Sequence, residues 1–348
     1  MKIKIYGAGS IGTHLAQASR RMGWDVTVVD PDKAALQRMK EKLYPSRYGA
    51  WDDGITLCAL GDEPRSGFDM IFLGTPPDVR MKLALQALEE KPRILLLEKP
   101  LCTPSLEGIS EFSQAYYVQT HTSAFMGYDH AVSPAFTQMR NMVAKGAVGE
   151  VVSIDVEFRE HWKGIFAAHP WLSGPEDTYL GYARRGGGAG CEHSHALHLY
   201  LTLAGDCGFE SSHVVGRLGR KVQGEADYDP VAAFTFPIGK EKVGRVIQDV
   251  VTFPVRKEVR VQGVNGSVQL LVNGSPKGDL LRLSLATGET EEWVHEKKRP
   301  DDFFREMQHL KDVYDGVASA STSPISYESG KKVMNILHEA YKASGFLP

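Results

Sequence analysis

The sequence predicts an α/β protein: a doubly wound parallel sheet at the N-terminus, then a second α/β domain built on a large, mainly antiparallel open sheet. Three observations predict it. The first twelve residues run from a short apolar strand through a glycine turn into a helical pattern. Apolar strands and helical patterns then alternate over the first hundred residues, which implies a parallel sheet with helices on both faces. From about Val151 the pattern changes to strands separated by short turns. With 348 residues the chain is long enough for two domains, each burying its own core. The boundary is set at residues 1–121 and 122–348.

Ile3 and Ile5 mark the first strand, which leads into Gly7, Ala8, Gly9, Ser10, Ile11 and Gly12 and then a helix over 13–22. Gly7 permits the tight turn, Gly9 lets the backbone approach a pyrophosphate, and Gly12 lets the helix pack on its strand. N–H groups at the helix start face the phosphates. Gly23 closes that helix, and residues 26–30 form a short buried strand ending in Asp30. A carboxylate there accepts hydrogen bonds from the ribose hydroxyls and repels a 2′-phosphate, so NAD is favoured. Lys33 and Arg38 leave NADP open. The competing reading makes Asp30 an N-cap, although Asp32 is better placed for that.

A helix over 32–43 follows, then a polar, loop-like stretch around 51–54. The alternation resumes with a strand over 68–73, stopped by Gly74, Thr75, Pro76 and Pro77, then a helix over 79–88 and a fourth strand over 93–97. Ligands of such sheets bind at the carboxyl ends of the strands, so the turns at Gly7, Asp30, Thr75 and Glu98 should share one rim. Beyond 151, strands are expected at 151–159, 212–218, 231–236, 246–253, 258–264, 267–272 and 280–285. Hairpin turns are expected at Asn265-Gly266 and Asn273-Gly274, and helices at 301–314 and 327–343.

Composition narrows the class. The chain is 42% apolar and 24% charged with a net charge of -3, so no basic excess attracts nucleic acid or an anionic membrane. No apolar run approaches the ~20 residues needed to span a bilayer, and the opening reads as a strand and not a leader; a cytoplasmic protein is expected. The four cysteines show no CxxC spacing and read as reduced thiols.

Glu98-Lys99-Pro100 follows the fourth strand directly, so Lys99 should emerge at the rim. Beside an oxidised nicotinamide and partly desolvated, a lysine can move a proton. A surface lysine paired with Glu98 is the plainer alternative.

With these motifs in place, the chain resembles the family of glucose-fructose oxidoreductase, inositol dehydrogenase and MocA-type proteins over nearly its whole length. The resemblance rests on the GxGxxG start, Thr75-Pro76, Glu98-Lys99-Pro100, Gly127-Tyr128 followed by Pro134, the 146–150 bridge, a glycine run before a histidine-containing helix, and the terminal helix. It implies a Rossmann domain joined to an open-sheet α/β domain, with NAD(P)-linked redox chemistry on sugars, polyols or nucleotide sugars. It also assigns cofactor contacts to Thr75, Pro76, Glu98 and Lys99, and catalysis to Lys99.

The family's second catalytic element is a glycine run followed by Asp-x-x-x-His, with a further Asp three residues on. Here the run is Gly186-Gly187-Gly188-Ala189-Gly190, and aligning histidines makes His195 the catalytic candidate, with Cys191 and His198 where aspartates are usual. A thiol cannot orient an imidazolium as a carboxylate can, so either Glu192 substitutes or proton transfer is divided differently between Lys99 and His195. Glu192, His195 and His198, at three-residue steps along one helix, invite a metal reading, but no H-E-x-x-H motif exists and hydride transfer needs no metal; none is expected. Where the family often has histidine after the Thr-Pro turn and arginine after Gly-Tyr, this chain has Arg80 and Ala131, so those roles do not transfer.

Tyr128, His130, Trp162, Lys163, Tyr182, Arg185 and His198, with the His169-Pro170-Trp171 segment, combine aromatic faces with polar donors that suit a carbohydrate-type substrate. For Tyr182 and Trp171 a core role fits as well, and Arg184 and Arg185 fit as solvated charges. The expected activity is NAD(P)-dependent oxidation of a secondary CH–OH of a sugar, sugar acid, cyclitol or nucleotide sugar, or the reverse, with Lys99 or His195 handling the proton. The alternatives are a non-redox enzyme with tightly held NAD, working by transient oxidation, and a silent metabolite sensor. An open sheet suits face-to-face packing with a second copy, so a homodimer or homotetramer is expected.

Overall fold

The computed structural model describes residues 1–167, 172–211, 213–298 and 300–348. The expected segment His169-Pro170-Trp171 lies outside the described residues. The chain divides into two compact units: Met1–Cys102, Glu107–Asp129 and Arg299–Tyr327 form one, and Thr103–Leu106, His130–Lys298 and Glu328–Pro348 the other.

The first unit is built on β1 (Lys2–Tyr6), α1 (Ser10–Arg21), β2 (Asp25–Asp30), α2 (Lys33–Arg38), α3 (Tyr44–Tyr48), β3 (Ile55–Ala59), β4 (Met70–Leu73), α4 (Pro77–Glu89), β5 (Ile94–Glu98), α5 (Ile109–Tyr117) and β6 (Ser123–Gly127). All six strands are parallel, in the order β3-β2-β1-β4-β5-β6. The central strands β4 and β5 are buried at every position, as strands covered on both faces must be, which is why they read as unbroken apolar runs. Because β1, β2, β4 and β5 run the same way, Gly7, Asp30, Thr75 and Glu98 come out at the same edge of the sheet. The stretch at 51–54 is loop as expected; one further strand appears and one expectation is corrected. The loop-like stretch is followed by a strand, β3, the partly exposed outer member of the sheet. The helix expected to end at 43 instead passes through a π turn at Met39–Leu43 into α3.

The second unit contains α6 (Pro134–Ala144), β7 (Val151–Arg159), α7 (Trp162–Ala167), α8 (Gly188–Glu192), α9 (Ser194–Asp206), β8 (Val215–Leu218), β9 (Lys221–Gln223), β10 (Ala226–Tyr228), β11 (Val231–Ile238), β12 (Lys242–Asp249), β13 (Arg256–Gly263), β14 (Gly266–Ser275), β15 (Gly278–Leu285) and β16 (Thr290–Glu296). Eight of these strands form one sheet, in the order β16-β15-β14-β13-β7-β12-β11-β8, antiparallel except where β7 meets β12. In β7 Ile154, Val156 and Phe158 are buried while Asp155, Glu157 and Arg159 face the other way, the alternation of a sheet with one packed face. Helices α6 and α9 cover the packed face. On the other, Arg245 pairs with Asp155 at 2.6 Å and Arg256 with Glu157 at 3.2 Å.

The β13–β14 hairpin forms where expected, but its two turn residues are Val264 and Asn265, with Gly266 already paired to Gly263. Asn273-Gly274 makes no hairpin turn: β14 continues to Ser275, and Asn273, with φ at 53°, lies within an irregularity in its pairing with β15. The Asn273 N–H finds the Asp279 carboxylate at 2.8 Å, so a left-handed residue serves a bulge there. Helices α10 (Asp301–Tyr314) and α11 (Tyr327–Ala343) close the chain; α10 packs on α1 within the first unit, and most of α11 belongs to the second. No described helix is long and apolar enough to cross a membrane.

Candidate active site

In the first unit the turn after β1 has the features a dinucleotide requires. Gly7 takes φ of 104°, and a Cβ on Gly12 would overlap the Gly7 carbonyl, so neither position admits another residue without a shift. At Gly9 the space a Cβ would occupy is open for 4 Å. Gly9 caps α1 without a side chain, leaving the first-turn N–H groups of Ser10 and Ile11 available to an anion. Asp30 closes the other side: its carboxylate accepts from the Ala8 N–H at 2.8 Å and from the Asp32 N–H at 2.9 Å. The cap of α2 is Asp32, which accepts from Ala34. Asp30 is thus fixed in place with lone pairs to spare for ribose hydroxyls. The Thr75 hydroxyl is buried with no hydrogen-bond partner among the described residues, as a ligand-facing group would be. These residues fit NAD.

At the end of β5 the backbone is held by a residue the sequence reading set aside. Arg80, 2% exposed, donates from Nη1 to the carbonyls of Glu98 and Pro100 and from Nη2 to that of Thr75. Its guanidinium therefore joins the turns after β4 and β5, and the signal was a cation one turn into the helix after Thr75-Pro76. Lys99 is half-buried and follows a carboxyl that is fully inside: Glu98 lies against Gly127, where a Cβ would come within 2.6 Å of the carboxyl group. Burial pushes Glu98 up to about 7; Arg80 pulls it down, Asp129 pushes it further up and Lys99 pulls it down. A second carboxyl, Glu306 on α10, is wholly buried, and neither oxygen has a hydrogen-bond partner among the described residues. Burial pushes it well above the usual carboxylate range, and Glu98, Asp129 and Asp302 add to this. Nothing in the sequence around Glu306 marked it.

In the second unit the glycine run leads into two helices, not one. Helix α8 ends at Glu192, His193 forms the joint, and α9 starts at Ser194, which places His195 in its first turn. The half-buried His195 ring meets His130 edge to face, with centroids 4.9 Å apart, and stacks on Phe158 of β7 at 6.3 Å. His198 points elsewhere: it is buried, and its Nε2 lies 3.1 Å from the Ser329 hydroxyl. The break at His193 removes Glu192 from the helix that carries His195 and His198, so the three do not follow one another along a single helical face.

The other candidates scatter. Tyr128, in the first unit, is fully buried. Trp162 stacks on Tyr228 at 4.8 Å within an apolar cluster that includes Leu180 and Val250. Lys163 and Arg185 are exposed, and Tyr182 donates to the Glu176 carbonyl at 3.1 Å while the Arg185 guanidinium lies over its ring.

Residues 1–128 match a family described as an oxidoreductase family with an NAD-binding Rossmann fold. No curated protein sequence matches the chain. Solved structures similar over 99% of it include an oxidoreductase domain protein from Kribbella flavida (TM-score 0.75, 17% identity, 97% of that chain covered). Levoglucosan dehydrogenase in complex with NADH and L-sorbose is similar too (0.74, 15%, 97%), as is aldose-aldose oxidoreductase from Caulobacter crescentus complexed with glycerol (0.72, 17%, 98%). At these identities the likeness shows a shared fold that runs through both units. The family match is thus confined to the first 128 residues, an NAD-binding Rossmann unit of oxidoreductase type, and beyond them the likeness to known proteins is one of fold.

Proposed function

We propose that the protein is an NAD-dependent dehydrogenase that oxidises a secondary CH–OH of a sugar, sugar acid, cyclitol or nucleotide sugar, or runs the reverse reduction. The observation that carries this reading is the rim of the first unit, where the glycine turn and Asp30 fit NAD and Lys99 emerges from the same sheet edge. NAD, when bound, supplies a hydride acceptor. The chain supplies the proton chemistry. Lys99 is the proton acceptor for the substrate hydroxyl, and the rim carbonyls fixed by Arg80 hold its backbone in place. His195, steadied by Phe158 and His130, is the second proton-transfer group, and the substrate contacts fall to His130 and its neighbours in the second unit. The named complexes of similar structures with L-sorbose and glycerol support a polyhydroxylated substrate. The charged open face of the second unit's sheet carries as many acids as bases among Asp155, Glu157, Glu258, Arg245, Arg256 and Arg260, which suits a second copy of the same face, and a homodimer or homotetramer is proposed.

The test is absorbance at 340 nm with purified protein, NAD or NADP, and a panel of free sugars, inositols, sugar acids and UDP-sugars. Substrate-dependent NADH formation is expected. No signal across the panel, with NAD found tightly bound, would replace this reading by the non-redox enzyme.

A further inference from the structure

The glycine run is held from outside by groups that no motif marks. Asp229, in the two-residue link between β10 and β11, is fully buried; its Oδ2 accepts from the Gly190 N–H at 2.7 Å, and its backbone carbonyl accepts from the Ala189 N–H at 2.8 Å. Two first-turn donors of α8 are thereby satisfied by one residue from a distant strand end. Tyr341 of α11, equally buried, donates to Asp229 Oδ1 at 2.6 Å and lies 3.1 Å from the Gly187 carbonyl. Gln248 of β12 grips the same turn by its acceptors, donating to the carbonyl of Gly190 at 3.1 Å. Gly188, with φ of 84°, is where a Cβ would overlap Asp229 Oδ1, so the glycine makes room for the carboxylate.

This clamp sits one helical turn before His195. The His193 N–H continues the α8 ladder to the Ala189 carbonyl, and the Ala196 N–H returns to His193, so the position of α8 sets that of the first turn of α9. Cys191, which stands where the resembled family carries a carboxylate, turns its thiol to the Tyr341 hydroxyl. The carboxylate that orders this helix start therefore arrives from β10–β11 and not from the helix itself.

The geometry points to Asp229 and Tyr341 as positioning residues for His195, acting through the main chain of the 187–190 turn. The inference rests on the reading of His195 as a proton-transfer group, and its test has a readout that does not depend on turnover. Asp229→Asn keeps the side-chain size but leaves one acceptor oxygen for two donors, Tyr341 and Gly190. Tyr341→Phe removes one donor and leaves the Gly190 bond. Histidine-selective 15N labelling, with the His195 signals assigned by their loss in His195→Gln, reports the imidazole directly. In Asp229→Asn the His195 signals should shift and kcat should fall at least tenfold with the Kd for NAD unchanged; Tyr341→Phe should do the same to a lesser degree. Asp206→Asn, which breaks the Arg140 pair at the far end of α9, should lower Tm without moving those signals. Unmoved His195 signals in the folded variants, or an unchanged kcat in an active enzyme, would overturn the inference. If wild-type protein oxidises no substrate, the dehydrogenase reading fails by itself, and the spectra alone decide whether Asp229 and Tyr341 set His195.

Discussion

Arg80 and Glu98 are joined at two levels: Nη1 of the guanidinium donates to the Glu98 main-chain carbonyl at 2.5 Å, and its charge opposes the burial that pushes the Glu98 carboxyl up to about 7. The same guanidinium reaches the carbonyls of Thr75 and Pro100, so one planar donor group fixes the two turns that flank the proposed nicotinamide end of the rim. A lysine ammonium cannot present the same fork. Arg80→Lys and Arg80→Met should therefore both raise the Kd for NAD, the latter about tenfold, or ~1.4 kcal/mol, with a lower Tm. Calorimetric titration of NAD on the folded variants checks this, and a Kd unchanged in Arg80→Met would show that the rim holds without it.

The buried carboxyls make a prediction about pH. Glu306 and Glu98 are pushed up by burial, Glu306 further by the charge of Glu98 and Glu98 further by that of Asp129, so the folded protein retains protons that the unfolded chain releases above its ordinary carboxylate pKa of about 4.3. Asp229 behaves alike, held up to about 7 by burial against the opposing pull of Tyr341 and of backbone N–H groups. With more protons bound in the native state, stability falls as pH rises, beginning at the unfolded pKa and ending at the folded one. Glu306→Gln removes one of these groups while keeping its shape and its neutral form. The variant should gain Tm relative to wild type as pH is raised from 5 to 9. A constant difference across that range would mean that Glu306 is ionised in the native protein.

How much of this was legible in the sequence depended on whether a residue's partners lie close in the chain. The parallel core strands, the fingerprint and the rim were readable because strands buried on both faces are continuous apolar runs. β3 and β16 were missed for the opposite reason. Each is the outer strand of its sheet, and β16, with Glu291 and Glu292 exposed, carries the polar surface such strands need and so lacks an apolar signature. Asn273-Gly274 has the composition of a turn, but the left-handed backbone it favours is equally that of a bulge, and Asp279 decided between them. Arg80, Glu306, Asp229 and Tyr341 carry no local pattern. Asp229 meets Gly190 across 39 positions and Tyr341 across 112, and only the folded sheet brings them together.

Lys99→Met tests the proposed proton acceptor. Glu98 and Arg80 fix the backbone of the loop without using the Lys99 side chain, so the variant should fold and bind NAD as wild type does. Removing a general acid or base lowers rate by about 10²- to 10⁴-fold, and kcat should fall in that range with a small change in KM. Single-turnover NADH formation separates this from slow product release. Full kcat in the variant would leave His195 as the sole candidate.

The metal reading of Glu192, His195 and His198 fails on helix geometry. Glu192 and His195 lie on either side of the break at His193, and His198 is engaged with Ser329, so these three residues do not assemble on one helix. Dehydrogenase activity should survive dialysis against EDTA and remain unchanged when Mg2+ or Zn2+ is restored. Loss on chelation with recovery on one metal would place an ion in the mechanism.

Asp30 combines structure and selectivity, and the two can be separated. Its carboxylate already holds the N–H groups of Ala8 and Asp32, so it supports the glycine turn whether or not it also meets the ribose as proposed. Asp30→Asn retains one acceptor oxygen, turns an amide N–H toward a backbone N–H, and removes the charge that repels a 2′-phosphate. NAD should bind about tenfold more weakly, since a charge-assisted hydrogen bond is worth ~1.5–3 kcal/mol, while NADP should bind no worse and gain from Lys33 on α2. The ratio of the two Kd values is the quantity to measure, because a merely loosened turn weakens both cofactors together. If the ratio stays at its wild-type value while both affinities fall, Asp30 acts as a brace for the turn, and the preference for NAD is set elsewhere on the rim.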